Sequence, residues 1–397
     1  MNTLIDEFNK HYPELTPEIV FCPYRICPVG AHSDHQYGKV LGMAIDKGIT
    51  IAYSPSEDGT VELVSRNFKD KVEFNISQPL EIKKDWADYL RGATCSLSRN
   101  HTIKKGMYAV IKGSLPIGGL SSSAAVIISF LNALCNVNNL TLSDRELIET
   151  ALWAEKDFVG VNVGKLDQSC EVFCRKNQLL YLDTLDDSYE LIPANPDMKP
   201  YEIAIFFSGV ERTLVGSKFN MRVDELKSAS YALKAFAGLD YDKFEESRLR
   251  DVPEEIYRKY GNKLPENWKK RAEHFYSEFA RVEAGAEAWR KGDIETFGKL
   301  SFESCWSSIN NFETGSDELK ALYEITLRTD GIYGGRFSGA GFKGCFMVLI
   351  DPEYRTSIEK KVKTEYLKIF PELEGKYSTH FCKSADGVGV TFDEKVN

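Results

Sequence analysis

The sequence predicts an α+β fold in two parts, and three observations carry that expectation. At 397 residues, 43% of them hydrophobic, the chain is long for a single core and sufficient for two. Strand-like and helix-like segments alternate through the first half, whereas the second half opens on a strand, continues in long helices and closes on strand, helix and strand. Between them, Ala194-Asn195-Pro196-Asp197-Met198-Lys199-Pro200 carries two prolines directly after a strand-like run. Domains are accordingly expected over residues 1–195 and 196–397.

In the first half, apolar alternation places strands at Val40 to Tyr53, Thr60 to Val64, Met107 to Lys112 and Gln178 to Asp183. Helical spacing places helices at Trp86 to Ser98, Ser122 to Cys135 and Asp144 to Asp157. In the second half a strand at Glu202 to Ser208 precedes helices at Met221 to Phe236, Trp268 to Lys291 and Glu318 to Thr329, with Gly292-Asp293 ending the second of these. Strands at Phe346 to Ile350 and Val388 to Phe392 flank a last helix at Ile358 to Ile369.

A net charge of −9 argues against non-specific nucleic-acid binding, while leaving room for a local basic pocket that holds a small anion. No apolar run approaches a membrane span, and the segment Met1 to Phe8 lacks the basic, apolar and small-residue pattern of a secretion signal. Nine scattered cysteines, an odd number, read as free thiols in a reducing compartment. A cytoplasmic protein with no nucleic-acid, membrane or obligate protein partner is expected.

Four segments carry candidate chemistry. The first to notice is Leu115-Pro116-Ile117-Gly118-Gly119-Leu120-Ser121-Ser122-Ser123-Ala124-Ala125, which runs into an apolar helix. Its glycines allow close backbone approach, its serines offer caps and hydroxyls, and the helix N-terminus presents free amides to an anion. It reads as a phosphate cradle or, more plainly, as a serine-capped helix. The segment Pro23-Tyr24-Arg25-Ile26-Cys27-Pro28-Val29-Gly30-Ala31-His32-Ser33-Asp34-His35-Gln36 reads as a loop before a strand, with a cation, two imidazoles and a carboxylate suited to sugar hydroxyls. Cys22, Cys27, His32 and His35 form a second candidate there, a zinc site, but the gap between the pairs is too short and two prolines stiffen the loop.

The third segment is Gly160-Val161-Asn162-Val163-Gly164-Lys165-Leu166-Asp167-Gln168-Ser169, in which Asp167 can take a proton from a hydroxyl, orient it, or simply cap a helix. Glu155 upstream is either part of that site or a surface charge. The fourth is Gly334-Gly335-Arg336-Phe337-Ser338-Gly339-Ala340-Gly341-Phe342-Lys343-Gly344-Cys345, whose glycines imply backbone approaching a ligand or another loop. The common G-x-x-x-x-G-K-[ST] phosphate loop and the protein-kinase motifs are absent.

Taken in order, these segments resemble the sugar-kinase branch of the galactokinase, homoserine kinase, mevalonate kinase and phosphomevalonate kinase (GHMP) superfamily. The first part of the chain is similar to G-R-x-N-x-I-G-E-H-T-D-Y, the serine loop to P-x-G-x-G-L-S-S-S-A, the Asp167 segment to G-x-x-D-Q, and the glycine run to G-G-G-F-G-G. Lys270-Arg271-Ala272-Glu273-His274 through Arg281 and Phe297-Gly298-Lys299-Leu300 resemble the same branch. The resemblance implies a two-domain fold with the site in the cleft between an N-terminal domain and a ferredoxin-like C-terminal domain, and it implies ATP and Mg²⁺. It implies that Arg25 lies near the transferred phosphoryl and Asp167 at the anomeric hydroxyl, that His32 and Asp34 bind ring hydroxyls, and that Gly164 offers its backbone. Gly118, Gly119, Leu120, Ser121, Ser122 and Ser123 are implied to hold the nucleotide's phosphates, Trp86 and Tyr89 to flank adenine, and Ser123 with Glu155 to hold the metal.

Two departures bear on the substrate. Ala31 stands where the galactokinase signature has Glu, whose carboxylate would face a substrate carboxylate at a cost of several kilocalories in a dry pocket. Ala31 therefore favours a sugar acid, and the A-H-x-D-H pattern with Arg336 to Phe342 resembles the galacturonokinases in particular. Candidate cations for such a substrate are His35, Lys165, Arg212 and Arg222. Phe219 replaces a Tyr that reaches the sugar in that branch, and the serine loop is one residue shorter than the family pattern. The expected function is phosphorylation of D-galacturonate at its anomeric hydroxyl, against a kinase for galactose or glucuronate and against a non-catalytic sugar sensor on a kinase fold.

Overall fold

The computed structural model describes residues 3–69, 71–116, 118–210, 219–240, 243–342 and 344–389. After a short capped helix α1 (Leu4–His11), β1 (Glu18–Val29) and β2 (Lys39–Ser56) form a long antiparallel pair. The rest of this part comprises β3 (Thr60–Ser65), β4 (Val72–Asn75), α2 (Asp88–Ser98), β5 (Gly106–Gly113), α3 (Ser122–Val137), α4 (Asp144–Trp153), α5 (Leu166–Phe173), β6 (Gln178–Asp183) and β7 (Ser188–Pro193). At 18 residues β2 is long enough to pair with β5 along its second half and β6 along its first, so one strand organises the seven-stranded sheet β4-β3-β5-β2-β6-β7, with β1 also on β2.

The chain continues through β8 (Glu202–Phe207), α6 (Phe219–Ala237), α7 (Glu254–Tyr260), α8 (Glu266–Arg290), α9 (Ile294–Asn310), α10 (Asp317–Leu327), β9 (Ile332–Phe337), β10 (Cys345–Ile350), α11 (Arg355–Ile369) and β11 (Ser378–Cys382). The four strands form an antiparallel sheet in the order β11-β8-β10-β9. All six residues of β10, the run Cys345 to Ile350, are buried, as its central place in that sheet requires.

The largest hydrophobic cluster draws on both halves, with Val29, Leu41 and Leu180 from the first and Val282, Trp289, Phe297 and Met347 from the second. Helix α8 lies against the first sheet, where Trp289 donates its indole N–H to the Ile192 carbonyl at 3.1 Å.

The sequence-derived elements recur with ends moved by a few residues, and four differences stand out. Pro23 to Val29 is strand, not loop. Its two prolines sit at or beside register shifts in a strand that, among the described residues, has β2 as its one extended partner, which is where a sheet tolerates residues lacking an N–H. The helix expected to reach Asp157 ends at Trp153 and widens into a π turn over Ala154–Phe158, a distortion that turns Glu155 inward. Ser121 precedes α3 in a left-handed conformation (φ 63°) and makes no side-chain cap, so the capping expected of it is absent. Helix α9 was not anticipated; Gly292 (φ 75°) closes the turn after α8, and Asp293 caps α9 by accepting from Thr296 N at 2.9 Å. The strand expected at Val388 to Phe392 extends beyond the described residues; Gly389 bridges Phe21.

Helix α9 can lie on β9 because Gly298 faces Gly334 and the Tyr333 carbonyl with no side chain between them. Helix propensity alone would make Gly298→Ala stabilising by nearly 1 kcal/mol. The backbone contact reverses that sign, and we expect the variant to lose about 1–3 kcal/mol. A thermal melt at or above the wild-type midpoint would show that the close approach is not required.

Candidate active site

The site is built where two glycine loops dovetail. In the serine loop before α3, Gly118 (φ 134°) and Gly119 (φ 83°) lie against Gly344 (φ 104°), Ser338 and Gly339 (φ 72°) of the β9–β10 loop. A Cβ on Gly344 would fall 2.7 Å from the Gly118 carbonyl carbon, and one on Gly119 would fall 2.9 Å from the Ser338 carbonyl oxygen. The fourth motif therefore approaches another loop, and the glycines at this contact are demanded by backbone meeting backbone. Beyond it, α3 presents a first turn that no side chain caps, the arrangement that accepts an anion.

Arg25 projects from β1 into this junction and is 3% exposed. It donates from Nε to Asp167 Oδ1 at 2.6 Å and from Nη1 to the Gly119 carbonyl and Ser338 Oγ, both at 3.2 Å. Burial alone would lower its pKa; the Asp167 carboxylate overcomes this and raises it. Asp167 sits in the first turn of α5 with its side chain about one-fifth exposed, so a carboxylate faces the cleft with its other edge tied to a cation.

One turn of structure away, Glu155 is buried, with Oε1 accepting from Ser123 Oγ at 2.6 Å and Oε2 from Gln168 Nε2 at 2.8 Å. Burial pushes its carboxyl up to about 7, opposed by the Ser123 hydrogen bond. A hydroxyl and a carboxylate brought together at the head of α3 form a hard oxygen donor pair, the chemistry that Mg²⁺ selects. Cys22, Cys27, His32 and His35 do not assemble a metal site: among the described residues no group of three or more His, Cys, Asp or Glu is placed to hold one.

The turn after β1 forms the opposite wall. Gly30 N–H donates to Glu278 Oε2 at 2.8 Å, and the buried Ala31 contributes its carbonyl to His274 Nε2 at 3.0 Å. His32 adopts φ 64°, stacks on Phe312 at 4.4 Å, and has both ring nitrogens engaged, with the Gly339 carbonyl at 3.1 Å and Ser308 Oγ at 3.4 Å. In this arrangement His32 is a strut between walls. Asp34 accepts from Leu166 N–H at 3.2 Å, and a side chain on Gly164 would collide with its carboxyl group. Burial, reinforced by the Asp167 charge, pushes Asp34 up to about 6. Phe219, the first residue of α6, packs its ring 5.8 Å from that of His35.

Of the four cations named from the sequence, Lys165 is held by Glu149 at 2.6 Å and Asp187 at 2.8 Å, and Arg222 by Glu225 at 2.9 Å and Glu313 at 3.6 Å. Arg212 lies outside the described residues, as does Lys343 of the glycine run. His35 is 8% exposed, and among the described residues neither ring nitrogen has a hydrogen-bond partner. Trp86 stacks on Phe68 at 5.0 Å with rings 10° apart, and Tyr89 is near enough to Glu155 for that charge to add to burial in raising its pKa.

Residues to which sequence reading gave no role support these walls. Arg336, fully buried, donates to Ser304 and to Ser308 Oγ (3.0 Å) and lies 4.0 Å from Glu278, which also accepts from Arg281 at 2.6 Å. Burial would raise the Glu278 pKa, but Arg281, His274 and Arg336 hold it down. The four-residue spacing of His274 and Glu278 on α8 was the available signal, since it puts both on one face.

Known proteins share this chain's sequence and fold. Residues 88–175 match the GHMP kinases N terminal domain, residues 286–368 the GHMP kinases C terminal, and residues 6–55 the galactokinase galactose-binding signature. The chain is 38% identical to a galacturonokinase of Arabidopsis thaliana over 94% of this chain and 93% of that protein. It is 32% identical to a galactokinase of Roseiflexus sp. (strain RS-1) over 98% and 97% of the two chains. Its structure matches that of Lactococcus lactis galactokinase complexed with galactose at a TM-score of 0.88 and 28% identity, covering 98% of this chain and 99% of that one. With the two-domain α+β fold and all three family segments in place, the chain belongs to the galactokinase-type sugar-kinase branch of the GHMP kinases.

Proposed function

We propose that this sugar kinase transfers the γ-phosphoryl group of ATP to the anomeric hydroxyl of D-galacturonate, giving α-D-galacturonate 1-phosphate. The observation that carries the choice of acceptor is Ala31: a buried methyl group stands, within the segment matching the galactose-binding signature, where the signature motif has Glu. Its removal takes away a carboxylate that would repel the acid of a uronate. The relative named galacturonokinase supports the same choice.

In the reaction the anomeric oxygen forms a bond to the γ-phosphorus, the bond from that phosphorus to the β–γ bridging oxygen breaks, and ADP leaves. Asp167 receives the hydroxyl proton or holds the hydroxyl in line, and the 2.6 Å bond from Arg25 fixes its carboxylate for either task. Arg25 keeps charge-neutralising density at the junction of both loops, beside the moving phosphoryl. The amides of Gly118 to Ser123 at the head of α3 take the nucleotide's phosphates. Ser123 and Glu155 would hold Mg²⁺, which supplies charge neutralisation on the β- and γ-phosphates. Asp34 and the Gly164 backbone face the sugar ring, and Trp86 and Tyr89 flank adenine.

Two measurements test this reading. Asp167→Asn preserves shape and removes the charge, so kcat should fall about 10² to 10⁴-fold with the fold intact by circular dichroism. A wild-type chain that binds sugar and ATP without turnover would instead be a sensor. In an ATP-consumption assay comparing galacturonate, glucuronate and galactose, wild type should favour galacturonate. Ala31→Glu should reduce kcat/KM for galacturonate by about 10-fold or more, since each 1.4 kcal/mol of like-charge repulsion is a factor of ten. Retained galacturonate turnover with no gain on galactose would refute the role given to Ala31.

A further inference from the structure

Removing an acid from the pocket makes a uronate tolerable without attracting it, so some positive or donor group must receive the carboxylate. His35 is a group in that wall whose hydrogen-bonding capacity is unused by the described residues. Its imidazole is more than nine-tenths buried, and among the described residues neither nitrogen has a partner, although a neutral ring carries one donor and one acceptor. Leaving such atoms unpaired forfeits their hydration without replacement, which is why buried polar groups left without partners are rare. The ring lies between Phe219 (centroids 5.8 Å, 59°) and Phe312 (6.2 Å, 23°), neither of which offers a hydrogen bond to it.

Position and charge agree. The His35 backbone nitrogen lies 2.7 Å from where a Cβ of Gly164 would be, and Asp34 beside it reaches Leu166, the neighbour of Asp167, so the residue belongs to the sugar-side wall. The charges of Arg248 and Lys227 both act on the ring. Arg248 gives hydrogen bonds to the Glu245 and Ser247 carbonyls; among the described residues its Nε has no partner and no carboxylate lies within ion-pair distance of Arg248 or Lys227. Lys165 and Arg222, the competing cations, are each already neutralised by two acids. The galactokinase signature ends in Tyr where this chain has His35, so the exchange accompanies the loss of Glu at Ala31.

We infer that His35 is a specificity-determining residue that donates a ring N–H to the carboxylate of the bound uronate, the sugar displacing the Phe219 ring, with Arg248 and Lys227 supplying the compensating charge. The inference rests on the galacturonate reading above, and the test separates the two. First, wild-type kcat/KM is measured for galacturonate and galactose; preference for galactose ends the substrate reading and this inference with it. Given a galacturonate preference, His35→Phe should lower the galacturonate-to-galactose ratio of kcat/KM at least 10-fold, mainly through KM for galacturonate. His35→Gln, which keeps an N–H donor, should recover part of it. Arg248→Gln should raise KM for galacturonate with His35 intact. A ratio within twofold of wild type in His35→Phe overturns the assignment while leaving the substrate reading standing. If that variant does not fold, ¹⁵N spectra of wild type decide: with six histidines in the chain, the His35 ring signals should move on adding galacturonate and not galactose, and ring signals unmoved by saturating galacturonate overturn it equally.

Discussion

A buried guanidinium organises this molecule. Arg25 leaves water to reach one carboxylate, one carbonyl and one hydroxyl, contributed by α5, the serine loop and the β9–β10 loop. An ion placed there without partners would cost several kilocalories, so the three elements must be where its planar fork can satisfy them together. The dovetailed glycines follow from that requirement. For Gly119 and Ser338 to meet one guanidinium, their loops must come within backbone contact, and positive φ at Gly118, Gly119, Gly339 and Gly344 is how the chain achieves it. The same contact leaves the head of α3 open toward an anion.

A second buried network fixes the sugar-side wall. Glu278, fully buried, accepts from Gly30, Ser304 and Arg281, with Arg336 at 4.0 Å, while His274 binds the Ala31 carbonyl. Each member is satisfied by the others, the condition under which buried charge gives a unique geometry instead of a defect. It follows that the position of Ala31, a residue of the first half, is set by α8, α9 and β9 of the second. The two halves share a hydrophobic core as well, so the cleft between them has continuous support on one side.

Much of this was legible in the sequence because it is local. Gly and Ser at the head of an apolar helix, Asp after a Gly-rich turn and the glycine run each announce backbone that must approach something, and the structure brings Arg25, Asp167, Ser123, Glu155 and the glycines together. What was not legible is pairing across distance. Gly30 meets Glu278 from 248 residues away, and nothing in the local pattern around Lys165 or Arg222 says that acids will neutralise them. Pro23 and Pro28 argued for a loop because proline breaks interior strands; that β1 pairs at length with β2, with its prolines at or beside the register shifts, is a fact of sheet order, which no local window contains.

The proposed specificity for an anionic sugar would pose a particular problem in a chain of net charge −9 that binds ATP in the same cleft. Long-range repulsion has to be countered locally, and long-range fields are screened beyond about 8–10 Å at physiological salt while short-range ones in a partly buried cleft are not. In the proposed reaction Arg25 serves the phosphoryl side. Asp34 and Asp167 would then place two carboxyl groups near the acceptor, so a third, supplied by the proposed substrate, would be admissible only if the wall around it were depleted of acid and carried cations without an acid in ion-pair contact among the described residues. Ala31 meets the first condition by deletion; the second falls to residues on α6 and the segment before α7, outside all four motifs. Discrimination of this kind needs both the removed repulsion and the added partner, which is why a substitution at the signature alone does not account for it.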